Sequence, residues 1–246
     1  MPRQLIVDIG NSSAKAALFE GDKITEECRL EHDALACFFA ESGKDGTIHA
    51  AIVSSVIPLG EEVEQAIMSL PYPYLRMSAR LKMPFEIAYK TPDTLGADRL
   101  AAAAEAYAQK PGHDILVIDA GTAITYDIVT SEGLYLGGNI SPGIDMRLKA
   151  LNHFTGRLPL VSKEGERHAI GITTETAIRE GVLQGVDKEI EGYVREYMSK
   201  YPHLLVFLTG GDSFFLDNRA KNHIFADNLL VIKGLNRILM LNNEAI

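Results

Sequence analysis

One short pattern occurs in both halves of the chain: an apolar strand, Asp-x-Gly, small polar residues and a second strand. It spans Leu5–Phe19 and returns at Leu116–Val129, so that Asp8 and Asp119 are almost half of the 246 residues apart. A unit this long predicts two similar domains rather than a solenoid array. Strand and helix signals mix in each half, which predicts an α/β fold with domains at 1–112 and 113–246. No Gly/Ser-rich linker separates the halves, so we expect an interdomain cleft to be the ligand site.

Apolar spacing predicts further elements in the second half. A long helix is expected over Thr173–Tyr201, with a break near Gly185 or Gly192. A short strand is expected at Leu229–Val231, followed by a closing helix over Gly234–Leu241.

Composition excludes several classes of partner. The formal net charge is −9, and 46% hydrophobic with 23% charged residues is ordinary for a globular protein. A chain this acidic, without a visible basic patch, should bind neither nucleic acid nor an anionic membrane surface. Two cysteines, Cys28 and Cys37, are too few for a disulfide framework. With no apolar run of membrane-spanning length and no signal-like segment, we expect a cytoplasmic protein.

Two glycine-containing segments could hold phosphate and cations. Asp8–Lys15 offers a tight turn with small polar residues and a lysine. Asp119–Thr122 has the same Asp-x-Gly pattern followed by a small polar residue. Turns of this kind can cradle anions, and a carboxylate at a strand end can meet a cation. Ordinary polar hairpin turns would explain each segment alone. The pair favours a site, because two carboxylates that end apolar strands are costly unless each has a partner.

Four other segments have both a functional and a purely structural interpretation. Asp98 and Arg99 open an alanine-rich helix, where they could be a general base and a carboxylate anchor, or merely a favourable helix start. Leu208–Asp212 could approach a nucleobase or ribose, or form a strand-to-helix turn. Gly137–Gly143 could pass a ligand or a subunit interface, and a threonine at 173 or 174 could cap a helix or face substrate.

These six segments, in this order, resemble the motifs of the type III pantothenate kinases, a bacterial branch of the actin, sugar-kinase and heat-shock ATPase superfamily. Asp8–Lys15 is similar to the first phosphate motif, Asp119–Thr122 to the second and Leu208–Asp212 to the adenosine motif. Leu95–Arg99, Gly137–Gly143 and Thr174–Ala177 resemble segments more specific to this kinase family. The resemblance implies two ribonuclease-H-like, actin-like domains, each a mixed sheet flanked by helices.

The resemblance also implies a role for each matching residue. Asp98 would be the general base for the primary hydroxyl of pantothenate, and Asp119 would bind a monovalent cation, K⁺ or NH₄⁺. Asp8 would lie near Mg²⁺. Pantothenate would be bound by Tyr89, Gly96, Ala97, Asp98 and Arg99, and by Thr174 across a homodimer interface. ATP would be bound by Asp8, Ile9, Gly10, Asn11, Ser12, Ser13, Ala14, Lys15 and Thr122.

The function expected from the resemblance is ATP-dependent phosphorylation of pantothenate, the first step of coenzyme A biosynthesis. Two other hypotheses stay open at this point. One is a nucleotide-binding transcriptional accessory protein of the same fold, which the acidic charge disfavours as a direct DNA binder. The other is a kinase or phosphatase for a different small molecule, which the carboxylate-matching Arg99 disfavours.

Overall fold

Two β-sheets organise the residues that the computed structural model describes, 3–213 and 224–242. The strands are β1 (Arg3–Ile9), β2 (Ala14–Glu20), β3 (Lys23–Leu30), β4 (Ile48–Ser55), β5 (Tyr74–Arg76), β6 (Glu86–Ile87), β7 (Ile115–Ala120), β8 (Ala123–Val129), β9 (Leu134–Pro142), β10 (Leu205–Thr209) and β11 (Ile224–Ala226). The helices are α1 (Leu35–Ser42), α2 (Glu61–Met68), α3 (Ala97–Gln109), α4 (Ile144–His153), α5 (Thr174–Lys200) and α6 (Leu230–Leu241). All the residues proposed for the site fall within the described ranges.

Both sheets are mixed, which confirms the predicted α/β class. The first has the order β3-β2-β1-β4-β5, in which β1 runs antiparallel to β2 and parallel to β4. The second has the order β11-β10-β7-β8-β9-β6, in which β10 runs parallel to β7 and to β11. The repeated sequence pattern corresponds to the central pairs, β1–β2 in the first sheet and β7–β8 in the second.

Contacts group the chain into two compact units. The first contains the chain as far as Gly112, together with Val129–Leu136 and the segment that starts at Leu229. The second contains His113–Ile128 and Gly137–Asn228. The domains 1–112 and 113–246 stay a prediction, because a grouping by contacts reports packing and not the limits of a repeat.

Helix α6 belongs to the first unit because it packs closely on α3. A Cβ atom added at Gly234 would lie 1.8 Å from the carbonyl oxygen of Ala101, so only glycine fits at this crossing. Arg237 Nε donates to Glu105 Oε2 at 2.8 Å across the same interface. The strand predicted at Leu229–Val231 is wrong, because α6 begins at Leu230. Three consecutive apolar residues do not distinguish a strand from the first turn of a buried helix.

Helix α5 runs without interruption for 27 residues, so the predicted break is wrong. A Cβ atom added at Gly185 or Gly192 would meet nothing within 4 Å. Each glycine costs a helix only about 1 kcal/mol, and a buried stripe that includes Val182, Val186 and Ile190 offsets it. Among the described residues, no helix is both long and apolar enough to cross a membrane.

The two faces of the first sheet have different neighbours. Leu5, Val7 and Ile9 on β1 belong to a core cluster with Leu35 and Phe39 of α1. Because successive side chains on a strand point to opposite faces, Asp8 lies on the other face. Helices α3 and α6 contact β4, and α6 also contacts β1 and β2. Val7 and Ile9, the residues on either side of Asp8, face α1. Asp8 therefore lies on the opposite face, which α3 and α6 cover.

Candidate active site

The turn between β1 and β2 is held from within and from β3. Gly10 N donates to Ser13 O at 3.1 Å, and Arg29 Nε donates to Ser13 Oγ at 2.8 Å. His32 Nε2 lies 3.0 Å from Gly10 O. Asn11 and Ser12 at the tip are exposed, so their polar groups face solvent and can meet an anion. The sequence does not identify Arg29 and His32, because a predicted hairpin turn at Glu20–Lys23 does not give the register that places Arg29 opposite Lys15.

Three polar side chains form a row across the first sheet. Asp8 on β1 is in register with Lys15 on the antiparallel β2 and with Ser54 on the parallel β4. Residues in register on neighbouring strands share a face and lie side by side. The row therefore places an ammonium group and a hydroxyl on either side of the Asp8 carboxylate. Ser54 was not among the site residues predicted from the sequence.

The Asp8 carboxylate is poorly compensated where it lies. Its Oδ1 atom is buried and has no hydrogen-bond partner among the described residues. Burial raises the pKa of Asp8 from 3.8 to about 6. The nearby Asp98 also raises the pKa, whereas the Ser54 hydroxyl and the Lys15 ammonium lower it. A carboxylate oxygen left in this state suits a hard cation, and Mg²⁺ bound with a nucleotide usually takes one or two carboxylates plus phosphates and waters.

The first turn of α3 gathers four of the predicted substrate residues. Gly96 is the residue before the helix, and Ala97, Asp98 and Arg99 begin it. Asp98 Oδ1 accepts a hydrogen bond from Arg99 N at 2.8 Å. A Cβ atom added at Gly96 would lie only 2.6 Å from Asp98 Oδ1, so this carboxylate conformation depends on glycine.

Arg99 is held between the helix and an aromatic ring. Its side chain is buried, and its guanidinium carbon lies 5.8 Å from the centre of the Tyr89 ring. A guanidinium over an aromatic face is attracted by the ring quadrupole. The structure thus brings Tyr89 together with Gly96–Arg99, the residues to which the resemblance gives a role in substrate binding. A buried, oriented guanidinium is suited to bidentate binding of a carboxylate.

In the second unit, the segments around Asp119 and Gly210 pack against each other. Asp119 on β7 is in register with Thr209 on the parallel β10. Gly210 has a φ of +94°, and a Cβ atom there would lie 2.3 Å from Ala120 O and 2.5 Å from Asp119 Oδ1. Asp212 N donates to Ala120 O at 2.9 Å. The close approach of the two backbones, not only the turn, therefore requires this glycine.

The end of β9 lies against the turn that contains Thr122. Gly143 N donates to Thr122 O at 3.0 Å, and a Cβ atom at Gly143 would lie 2.2 Å from Gly121 O. Arg147 Nε donates to the carbonyl of Pro142 at 2.7 Å. The Gly137–Gly143 segment thus supports the Asp119–Thr122 turn within this unit.

Thr174 lies apart from that turn in sequence, at the start of α5. The helix cap uses Thr173 and Thr176, whose side chains and backbone bond reciprocally, and Thr174 is exposed. An open groove of about 770 Å³ lies beside Thr174 between α4 and α5. The groove is lined by Arg147, Ala150, Leu151, Phe154, Thr155, Leu158, Thr174, Ala177, Ile178, Gly181 and Val182.

A family model and a curated relative match this chain under the same family description. A family model described as type III pantothenate kinase matches residues 4–196. A type III pantothenate kinase from Bacteroides fragilis strain YCH46 is 52% identical over 242 residues, covering 98% of this chain and 99% of the relative.

Solved structures are similar over nearly the whole chain. One is a conserved putative Baf family transcriptional activator from Campylobacter jejuni, with a TM-score of 0.64, 26% identity, and coverage of 98% of this chain and 99% of that one. Another is a ROK family glucokinase from Streptomyces griseus in complex with glucose and AMPPNP, with a TM-score of 0.56 and 12% identity. It covers 96% of this chain and 98% of that chain, and at this identity it shows the fold alone.

Proposed function

The chain belongs to the type III pantothenate kinase family, and we propose that Asp98 is the general base of its reaction. The reaction moves the terminal phosphoryl group of ATP to the primary hydroxyl of pantothenate, which gives ADP and 4′-phosphopantothenate, the first step of coenzyme A biosynthesis. The match at 52% identity over almost the full length carries the assignment to a phosphotransferase.

The proposed role of Asp98 rests on its surroundings. Phosphoryl transfer needs positioning, charge neutralisation and a group that orients the nucleophile, with little covalent help from the protein. Asp98 accepts the hydroxyl proton as the substrate oxygen bonds to the terminal phosphorus, and the bond from that phosphorus to the bridging oxygen of ADP breaks. Its nearness to Asp8, in the same unit, supports a place beside the phosphate end of the nucleotide.

We assign pantothenate binding to Arg99 and Tyr89, with Gly96 and Ala97 forming the backbone around them. Pantothenate has a carboxylate, and a buried Arg99 guanidinium held over the Tyr89 ring matches it in charge and shape. We assign the ATP phosphates to the segment Asp8–Lys15, whose turn exposes Asn11 and Ser12. Magnesium, when bound near Asp8, would neutralise phosphate charge, and the unpaired Oδ1 atom fits a ligand for it.

We place the monovalent cation, K⁺ or NH₄⁺, at Asp119 and an ATP contact at Thr122. The support is local. Gly210 and the end of β9 crowd the backbone around Asp119 and Thr122, which fixes the carboxylate and the turn in one conformation. A carboxylate held close to the Gly210 backbone, with the carbonyl oxygen of Ala120 near the same glycine, offers oxygen ligands of the kind that such an ion takes.

A homodimer in which Thr174 faces the partner's substrate is part of the proposal. Phe154, which lines the groove, is 81% exposed, and Ile170 and Ile172 in the segment that leads into α5 are 80% and 74% exposed. Large apolar side chains exposed to this extent are typical of a protein–protein interface. Sedimentation velocity gives the molecular mass in solution, and a monomer at assay concentration would contradict this part.

Gly96→Ala is expected to lower kcat more than tenfold with little loss of stability. The added methyl group would displace the Asp98 carboxylate, which it would otherwise approach to 2.6 Å. A displacement of this kind removes the base from the substrate hydroxyl without removing any chemical group. Steady-state kinetics at saturating ATP and pantothenate, with thermal unfolding of the same preparation, measure both effects.

Gly46→Ala is the matched control, since a Cβ atom at Gly46 meets nothing within 4 Å. It should have wild-type kinetics. If Gly96→Ala also turned over at the wild-type rate, the Asp98 conformation seen here would not be the one used in catalysis.

The function itself is tested by ADP release with MgATP and pantothenate, in potassium and again in sodium. Pantothenate-dependent ADP release that requires potassium supports the substrate and the cation site together. Release in both salts would remove the cation proposal alone. Nucleotide binding without pantothenate-dependent release would favour a regulatory protein or a kinase for another acceptor.

A further inference from the structure

Two buried oxygen atoms beside each other lack hydrogen-bond partners in the described part of the first unit. They are Asp8 Oδ1 on β1 and Ser54 Oγ on β4, and the two residues are in register on adjacent strands. Ser54 is 0% exposed. Its hydroxyl is directed at the Asp8 carboxylate and lowers the pKa of that carboxyl through a weak, long hydrogen-bonding interaction, but neither Ser54 Oγ nor Asp8 Oδ1 has a partner at normal hydrogen-bond distance and angle. Both members of this adjacent pair, Asp8 Oδ1 and Ser54 Oγ, therefore lack a hydrogen bond of normal geometry.

A hydroxyl in this position is costly to the fold by itself. A buried polar group without a partner costs about 1–3 kcal/mol, and the large majority of buried polar side chains have one. The residues before Ser54 on β4, Ala51, Ile52 and Val53, are all buried and apolar. An alanine would suit the same packing at no such cost. The serine thus requires a better partner than the described residues supply.

The next residue shows the contrast. Ser55 Oγ donates to Ile57 O at 2.7 Å and accepts from Ile57 N at 3.3 Å, so its hydroxyl closes the end of β4. Two adjacent serines at a strand end therefore have different bonding: one is satisfied by the backbone, and the other points to the face that carries Asp8 and Lys15.

We propose that Ser54 is a positioning residue for the magnesium ion of the bound nucleotide, acting through a hydrogen bond to a water or carboxylate oxygen of the ion's shell beside Asp8. This rests on the proposed magnesium site at Asp8. Magnesium keeps several of its waters when it binds through one or two carboxylates, and those waters need acceptors and donors in the protein. Partners in this outer shell typically change metal affinity by about 10–100-fold.

Ser54→Ala is the first test, with binding of a non-hydrolysable ATP analogue titrated against Mg²⁺. The magnesium concentration for half-maximal binding should rise by about 10–100-fold. The thermal midpoint of the metal-free protein should change little, because the lost interaction with the Asp8 carboxylate is weak and the unsatisfied burial of the hydroxyl is removed with it. A purely structural hydroxyl would give the opposite pattern, a lower midpoint and an unchanged magnesium requirement, and that would overturn the proposal.

Ser54→Thr and Ser55→Ala complete the design. Threonine keeps the hydroxyl and adds a methyl group to a buried position, so it should lower the midpoint and keep a magnesium requirement near that of the wild type. Ser55→Ala should lower the midpoint without changing the magnesium requirement. If Ser54→Thr shifted the requirement as far as Ser54→Ala, the loss would not follow the hydroxyl and the proposal would fail.

The measurement separates this inference from the proposed function. Nucleotide binding does not depend on which acceptor receives the phosphoryl group. If the wild type binds MgATP but fails to phosphorylate pantothenate, the effect of Ser54→Ala on the magnesium requirement can still be measured. A wild type whose nucleotide binding needs no magnesium would overturn the Ser54 proposal directly, whatever its turnover.

Discussion

Asp98→Asn is expected to lower kcat by about 10²–10⁴-fold, the usual contribution of a positioned acid–base group. Asparagine has nearly the same shape but cannot accept the hydroxyl proton. Its side-chain oxygen can still accept the bond that Arg99 N makes to Asp98 Oδ1 at 2.8 Å, so the start of α3 should be kept. Steady-state kinetics in ATP and in pantothenate measure the loss, and the KM values should change much less than kcat.

Asp93→Asn provides the control on the same segment. Asp93 is an exposed carboxylate five residues upstream, and its one described ion pair is with Arg80 at 3.2 Å. Its replacement should leave turnover unchanged. An Asp98→Asn enzyme with near-normal kcat would rule out the base and leave Asp98 with at most a structural role at the helix start.

Asp8→Asn is expected to stabilise the protein at pH 8 by up to about 3 kcal/mol while abolishing most of its turnover. The folded-state pKa of Asp8 is raised from 3.8 to about 6, so an ionised Asp8 opposes folding. A rise of about two pKa units corresponds to about 3 kcal/mol. Between pH 4 and 6 the folded protein holds a proton that the unfolded chain has released, so this contribution to stability falls as pH rises through that range.

Denaturant unfolding at pH 4 and at pH 8 tests this directly. The difference in stability between Asp8→Asn and the wild type should be small at pH 4 and near its full size at pH 8. Asp22→Asn, at an exposed position in the β2–β3 turn, should show no such difference at either pH. A variant at position 8 that is less stable than the wild type at pH 8 would show that the carboxylate is compensated in the folded chain.

The parts of the site that the sequence predicts are those in which chemistry and chain order coincide. Asp8 and Asp119 could be found because each ends an apolar strand before a glycine, and Asp98 with Arg99 because they open a helix. Ser54 and Arg29 could not, because their importance comes from strand register. Nothing in the local sequence says that β4 places Ser54 opposite Asp8, or that Arg29 reaches Ser13.

The two wrong predictions about the fold also come from contacts that are distant in sequence. The apolar run Leu229–Val231 by itself predicts a strand, whereas Val231 lies in α6, whose position is decided by packing on α3 through Gly234. A break near Gly185 or Gly192 is the local prediction for α5, but a buried apolar stripe stabilises that helix over its whole length. In both cases a tertiary contact outweighed a local preference.

The crossing of Ala101 with Gly234 also constrains the order in which the protein can fold. During synthesis, β1, β2, β4 and α3 leave the ribosome long before α6, which contacts each of those elements. The first unit therefore cannot complete its packing until the whole of the second unit has been translated. Until then, the part of its sheet face that α6 covers stays exposed. Closing so long a loop slows folding and leaves apolar surface open to chaperones in the interval. The second unit, which is contiguous but for Val129–Leu136, is under no such delay.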